Sequence, residues 1–196
     1  MKLLLASQSA ARRQMLEAAG VAFETVSPAL DEDAARAGLI AAGFEPRDLA
    51  EMLAELKAKS VGAPGALVLG ADQVLELDDG AMLSKPGSRE EALEQLRALS
   101  GRTHRLHSAA VVAEKGERIW SAGESVAMSV RLLGEDFLRD YLTREYEAVR
   151  WNVGAYRIEG MGAQLFERIE GSHFAILGLP LLPLLAFLRT RGMLAR

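Results

Sequence analysis

The sequence predicts an α/β fold with one elongated mixed β-sheet flanked by helices, and three observations predict it. Short apolar runs that read as strands alternate along the whole chain with segments whose apolar residues recur at helical spacing. Several of the helical segments carry their own start and stop signals. With 196 residues, 26% of them charged and 49% hydrophobic, the chain has ordinary globular composition and length for a single domain over 1–196.

The first strand is Lys2–Ala6, stopped by Ser7-Gln-Ser9, with a helix over about 10–19 that takes Ser9 as N-cap and Gly20 as its end. Val21–Val26 is β-branched and aromatic enough for a second strand, and residues 28–36 read as an acidic loop. Leu49, Met52, Leu53 and Leu56 recur at helical spacing over 46–61. Ala66–Gly70 and Gln73–Leu77 are strand-like, and Asp78-Asp-Gly80 is a hairpin turn signal. Ser88-Arg-Glu-Glu91 is a capping box for a helix to about Leu99. Two long strands, Arg105–Ala113 and Arg118–Val130, meet at the polar turn Glu114–Glu117. A helix over 135–145, a glycine-rich segment over 154–171, a strand over 174–177 and a helix from Pro180 complete the pattern.

Composition removes several classes of function. A net charge of -4 argues against binding a nucleic-acid polymer, which needs a basic face, but leaves room for a small anionic ligand. The absence of cysteine excludes disulfides, cysteine-based zinc sites and a thiol nucleophile. Phe174–Leu188 is uncharged for 15 residues but holds Gly178, Pro180 and Pro183, and a span needs about 20, so no membrane segment is expected. Leu3–Ala6 is too short for a secretory signal core, and a soluble cytoplasmic protein is the expectation.

Three constellations could carry chemistry. In Leu5-Ala-Ser-Gln-Ser-Ala-Ala-Arg-Arg13 a strand runs into a helix whose first turn holds two arginines. The dipole disfavours cations there, so they suggest an anion such as phosphate, unless both point to solvent or carboxylates. In Gly70-Ala-Asp72-Gln73 an aspartate ends an apolar run, a place for catalytic groups in α/β proteins and equally for a turn-forming Asp. Gly154-Ala-Tyr-Arg-Ile-Glu-Gly160-Met-Gly162 implies close backbone approach, yet lacks the dinucleotide fingerprint, and no P-loop occurs. His104 and His107 lie on opposite faces of one strand and cannot share a metal ion.

These motifs, with Lys57-Ala58, Lys85-Pro86, Leu99-Ser-Gly-Arg-Thr-His104, Ile169–Ser172 and Gly178-Leu-Pro-Leu181 in order, closely resemble the Maf family of nucleoside triphosphate pyrophosphatases over nearly the whole chain. The resemblance implies a two-lobed α/β fold like that of inosine triphosphatases, with the active site between the lobes. It also implies a homodimer and metal-dependent hydrolysis of a nucleoside triphosphate to the monophosphate and pyrophosphate. By motif, Asp72 is the catalytic carboxylate and Glu32 the second carboxylate, both on a magnesium or manganese ion, while Ser7, Arg12, Lys57 and Lys85 bind the triphosphate. The chain departs from the family at Ala10 and Ala11, where a proline and, in one subgroup, an arginine stand, and at Ser84, where glycine precedes Lys-Pro.

Gln73 and Glu159 stand where the dTTP/UTP subgroup carries Thr and Gln, and here resemble the subgroup acting on 7-methyl-GTP. A carboxylate at 159 accepts from guanine N1–H and its exocyclic amine, whereas uracil offers one N–H flanked by carbonyls. The alternatives are a dTTP/UTP pyrophosphatase, a nucleotide-binding regulator of cell division, and for Glu159 itself a simple pairing with Arg157 or Arg168. Trp151 and Tyr156 are candidates to stack on a base, or to pack in a core or contact between copies.

Overall fold

Continuous apolar runs in Leu3–Ala6 and from Ala66 make two strands that are covered on both faces, and the rest of the first half is arranged around them. The structure, a computed structural model, describes residues 2–195. In chain order it contains β1 (Lys2–Ala6), α1 (Ala10–Ala18), β2 (Glu24–Val26), α2 (Glu32–Ala41), α3 (Pro46–Lys59), β3 (Ala66–Glu76), β4 (Met82–Leu83) and α4 (Arg89–Leu99). It continues with β5 (Thr103–Glu114), β6 (Glu117–Val130), α5 (Glu135–Val149), β7 (Phe166–Glu170), α6 (His173–Ile176) and α7 (Leu181–Thr190). Among the described residues the strands form one seven-stranded mixed sheet in the order β2-β1-β3-β5-β6-β7, with β4 pairing β3.

Two compact units share this chain. One is drawn from residues up to Gln73, from His107–Ser125 and from Ser172 onward; the other comprises Val74–Leu106 and Val126–Gly171. In the first unit β1 pairs in parallel with β2 on one side and β3 on the other, with Leu5 opposite Thr25 and Leu69, and Ala6 opposite Gly70. The chain leaves β1 toward β2 and later returns to β3 on the opposite side, so the carboxyl end of β1, beside Gly70 in the middle of β3, is a topological switch point. One sheet face packs Leu3, Leu5, Leu67, Leu69 and Ala71 against Leu16 of α1 and Leu184 and Leu188 of α7. Each such fully buried leucine contributes about 1.5–3 kcal/mol relative to exposure. The other face meets α3 through Gly70, where an added Cβ would stand 2.1 Å from the Ala54 carbonyl oxygen.

In the second unit α4 packs on α5, burying Leu96 and Leu99 of one and Leu138, Tyr141 and Leu142 of the other, and β7 pairs antiparallel with β6. The Ser88 hydroxyl accepts from the Glu91 N–H at 3.1 Å and the Glu91 carboxylate accepts from the Gly87 N–H at 2.6 Å, closing the capping box. Lys115 and Gly116 both have positive φ (54° and 81°), the turn that joins β5 to β6 as a two-residue hairpin.

Four readings of the sequence change. The acidic loop over 28–36 is mostly helix: Asp31 accepts from the Ala34 N–H at 3.0 Å and caps α2. The strand over 174–177 is the short helix α6, because four apolar residues carry no period of their own and its last carbonyls find side-chain donors instead of a ladder. The glycine-rich segment contains two 3-10 turns, Val153–Ala155 and Met161–Leu165, and ends in β7. Only Glu24–Val26 of the second expected strand is paired.

Candidate active site

Strand alternation places Asp72 on the same face of β3 as Gly70, toward α3, and Gln73 on the opposite face. Because Gly70 lets the α3 backbone lie directly on the strand, Lys57 in the last turn of α3 reaches the Asp72 carboxylate, its Nζ donating to Oδ1 at 2.6 Å. The same ammonium lies 2.9 Å from Oε2 of Glu32, in the first turn of α2. Asp72 Oδ2 accepts from Arg36 Nη2 at 3.0 Å, one turn further along α2. The side chains of Lys57 and Asp72 are 6% and 8% exposed, against 44% for Glu32, so the buried pair faces outward through α2. A buried ammonium or carboxylate alone would carry a desolvation cost of several kcal/mol, and here each is neutralised by contact.

The two arginines of the first motif part company. Arg13 is half-exposed and lies 3.9 Å from Glu17, whereas Arg12 turns inward. Its Nε donates to the Gly178 carbonyl at 2.8 Å and its Nη1 to the Ala71 carbonyl at 2.9 Å, with the Ser7 hydroxyl at 3.4 Å. Arg12 therefore closes the switch point between β1 and β3 and ties it to the turn before α7. Gly178 has φ +91°, and a Cβ there would stand 3.1 Å from Arg12 Nη2, so this approach also requires glycine. Burial pulls the guanidinium below its ordinary pKa, while the negative charges of Asp72 and Glu32 pull it up.

Asp72 and Glu32 turn carboxylate oxygens toward one point, and hard oxygen donors suit magnesium or manganese. Among the described residues no group of three or more His, Cys, Asp or Glu gathers. Two carboxylates nonetheless fit a magnesium ion, which commonly takes one or two from the protein and the rest from phosphates and water.

Gln73 is held away from Asp72. Its amide nitrogen donates to Ser108 Oγ at 2.9 Å and to the Ala175 and Ile176 carbonyls at 2.9 and 3.0 Å. Lys85 and Glu159 belong to the second unit and both are exposed. Glu159 bonds to neither nearby arginine: Arg157 Nε donates to Glu145 at 2.8 Å, and Arg168 pairs with Glu170. Tyr156 is buried, its hydroxyl 2.7 Å from His104 Nε2, while Trp151 stays exposed beneath the Arg150 guanidinium. His104 and His107 take separate partners, Tyr156 and Ser125.

Ser7, Arg12, Glu32, Lys57 and Asp72 thus come together in the first unit. Arg36 was not anticipated. Its signal is the four-residue spacing from Glu32, visible only once 32–41 is read as a helix. Ser108, which holds Gln73 and α6, carries no local signal at all.

Residues 2–191 match the family described as Maf-like protein. A protein named nucleoside triphosphate pyrophosphatase from Sphingopyxis alaskensis is 49% identical over 195 residues, 98% of each chain. One of the same name from Caulobacter vibrioides is 54% identical over 192 residues, 97% of this chain and 96% of that one. A HAM1 protein from Coxiella burnetii superposes with a TM-score of 0.44 and 17% identity, over 66% of this chain and 73% of that one. The match across almost the entire chain, carried through the segments that hold Asp72, Lys57 and Arg12, means that this chain belongs to the Maf family.

Proposed function

We propose that this chain is a nucleoside triphosphate pyrophosphatase that hydrolyses its substrate, preferentially 7-methyl-GTP, to the monophosphate and pyrophosphate with the help of a divalent cation. The observation that carries the reading is Lys57 Nζ, held between Asp72 and Glu32 beside the switch point that Arg12 closes. Cations and carboxylates in mutual contact can exchange partners when a triphosphate, with roughly four negative charges, arrives together with its metal ion. The name shared by the near full-length relatives supports the same reaction.

Asp72 and Glu32 would hold the cation, which supplies charge neutralisation at phosphate oxygens and an acidified water. Lys57, released from the carboxylates, donates to phosphate oxygens. Arg12 keeps Nη2 for the same purpose, since its Nε and Nη1 are committed to main-chain carbonyls. Ser7 adds a phosphate contact within the first unit, and the family likeness assigns Lys85 the same role. Water oxygen attacks the α-phosphorus and the bond from that phosphorus to the bridging oxygen breaks. Its electron pair leaves with pyrophosphate, and the water proton passes to the Asp72–Glu32 pair.

For the base, the exposed Glu159 carboxylate lies within electrostatic reach of Arg157, whose Nε hydrogen-bonds Glu145, and offers its oxygens as acceptors for a guanine edge. Methylation at N7 makes that base cationic and favours a carboxylate further. Gln73 adds nothing to base reading in this conformation, so the purine preference rests on Glu159. Residence in the cytoplasm and assembly as a homodimer belong to the same proposal, supported by the family likeness and checked by light scattering on the purified chain. Among the described residues no helix is long and apolar enough to cross a membrane.

A panel of 7-methyl-GTP, GTP, dTTP and UTP, assayed for pyrophosphate rather than orthophosphate, tests the proposal. Pyrophosphate release led by 7-methyl-GTP is expected. Leadership by UTP or dTTP would keep the reaction and remove the base assignment. Binding without turnover would turn the reading toward a nucleotide sensor.

A further inference from the structure

Helix α2 has no buried residue, yet both of its inward charges reach the most buried charges of the first unit. Glu32 contacts Lys57 at 2.9 Å, Lys57 contacts Asp72 at 2.6 Å, Asp72 contacts Arg36 at 3.0 Å, and Arg36 returns to the helix that carries Glu32. The four side chains form a chain of alternating charge drawn from α2, α3 and β3, and the backbone of α2 between Glu32 and Arg36 closes it into a ring. With one oxygen held by Lys57 and the other by Arg36, the Asp72 carboxylate cannot rotate about its terminal bond without breaking a charge-assisted contact. Glu32 and Arg36 are one turn apart on a single helix, so fixing either fixes the other.

We propose that Arg36 is a positioning residue: it closes this ring and so holds α2, and with it Glu32, in place against Asp72. The proposal rests on the reading of Asp72 and Glu32 as the reacting carboxylates, and Arg36 itself is assigned no contact with the nucleotide. Its side chain is 20% exposed, shielded enough for the contact with Asp72 to persist and open enough for α2 to detach when the contact is lost. Apolar burial does little to keep α2 down, because only side chains such as Leu39 are even partly covered.

The test compares wild type, Arg36→Ala and Arg36→Lys in two measurements: kcat and KM for pyrophosphate release, and amide hydrogen exchange over 32–41. Arg36→Ala is expected to lower kcat by about 10- to 100-fold, the cost of a displacement near 1 Å at a reacting group, with KM changed less than about threefold. It should also speed exchange in α2 while α1 and α3 keep their protection. Arg36→Lys restores the charge and should recover most of both. Faster exchange in α2 with unchanged kcat would overturn the catalytic half and leave Arg36 a purely structural clip. Unchanged exchange and unchanged kcat would overturn the proposal entirely. A wild type silent on every triphosphate would sink the pyrophosphatase reading alone, and α2 exchange in Arg36→Ala would still decide whether the ring holds the helix.

Discussion

Asp72 and Glu159 are both carboxylates in glycine-marked segments, and the two units treat them in opposite ways. Around Asp72 every charge is already answered: Lys57 and Arg36 take its two oxygens and Glu32 takes the other side of Lys57. Glu159 feels the charge of Arg157, but that guanidinium hydrogen-bonds Glu145, and the Glu159 side chain stands exposed. The second unit buries one paired carboxylate, Glu145 with Arg157, and beside it a neutral pair, His104 with Tyr156. The lesson concerns how charge is stored. A buried ring of ions neutralises its charges within itself, whereas one exposed carboxylate leaves its charge largely to solvent.

Breaking the ring should give the largest effect. Asp72→Asn leaves Lys57 with Glu32 alone and Arg36 with an amide in place of an anion. Pyrophosphate release should fall by about 1000-fold or more, and removing one partner of a buried pair should cost about 3–5 kcal/mol of stability in urea titrations.

The neutral pair of the second unit predicts a pH dependence of the opposite character. Burial pushes His104 down to about 4, below the ordinary histidine value of about 6.5. The unfolded chain then binds the proton that the folded chain refuses. Stability is complete above pH ~6.5, declines as pH falls toward about 4, and is constant below that. The full difference is about 3 kcal/mol. Urea midpoints of wild type and His104→Gln at pH 7 and pH 4.5 should therefore converge on acidification, because the variant lacks this loss.

A third change sharpens the comparison by displacing the ring without touching a charge. Gly70→Ala places a Cβ 2.1 Å from the Ala54 carbonyl oxygen and 2.7 Å from the Ala58 nitrogen. Lifting α3 off β3 should cost about 1–3 kcal/mol and withdraw Lys57 from Asp72, reducing turnover together with melting temperature. The smallest effect on stability belongs to Glu159→Gln, which should stay within about 0.5 kcal/mol of wild type. It should nonetheless narrow the preference for 7-methyl-GTP over UTP, and an unaltered ratio would remove Glu159 from base reading.

Much of the first unit was legible because its signals are local. The apolar run of β1, the Ser9 cap and the period of α3 announced the elements that carry Ser7, Arg12 and Lys57. The resemblance to the Maf family then singled out Asp72 and Glu32. Arg36 was hidden because 28–36 reads as a loop around the acids Asp31–Asp33, while the large apolar residues of α2, Leu39 and Ile40, lie beyond that stretch and none of its residues is buried. The segment 174–177 was misread for the complementary reason: a four-residue apolar run suits strand and helix alike, and distant donors, Gln73 and Ser108, meet its carbonyls. Gln73 sits next to Asp72 in sequence, but strand alternation turns it to the other face, which adjacency in a motif does not reveal.

The ring around Asp72 is the place proposed for cleavage of the triphosphate. Single-turnover release of pyrophosphate from 7-methyl-GTP, wild type beside Asp72→Asn, with nucleotide binding measured on the same samples, tests it most directly. Rapid release is expected from wild type and none above background from a variant that still folds and binds nucleotide. Release by the variant at a comparable rate would place the chemistry elsewhere and contradict it.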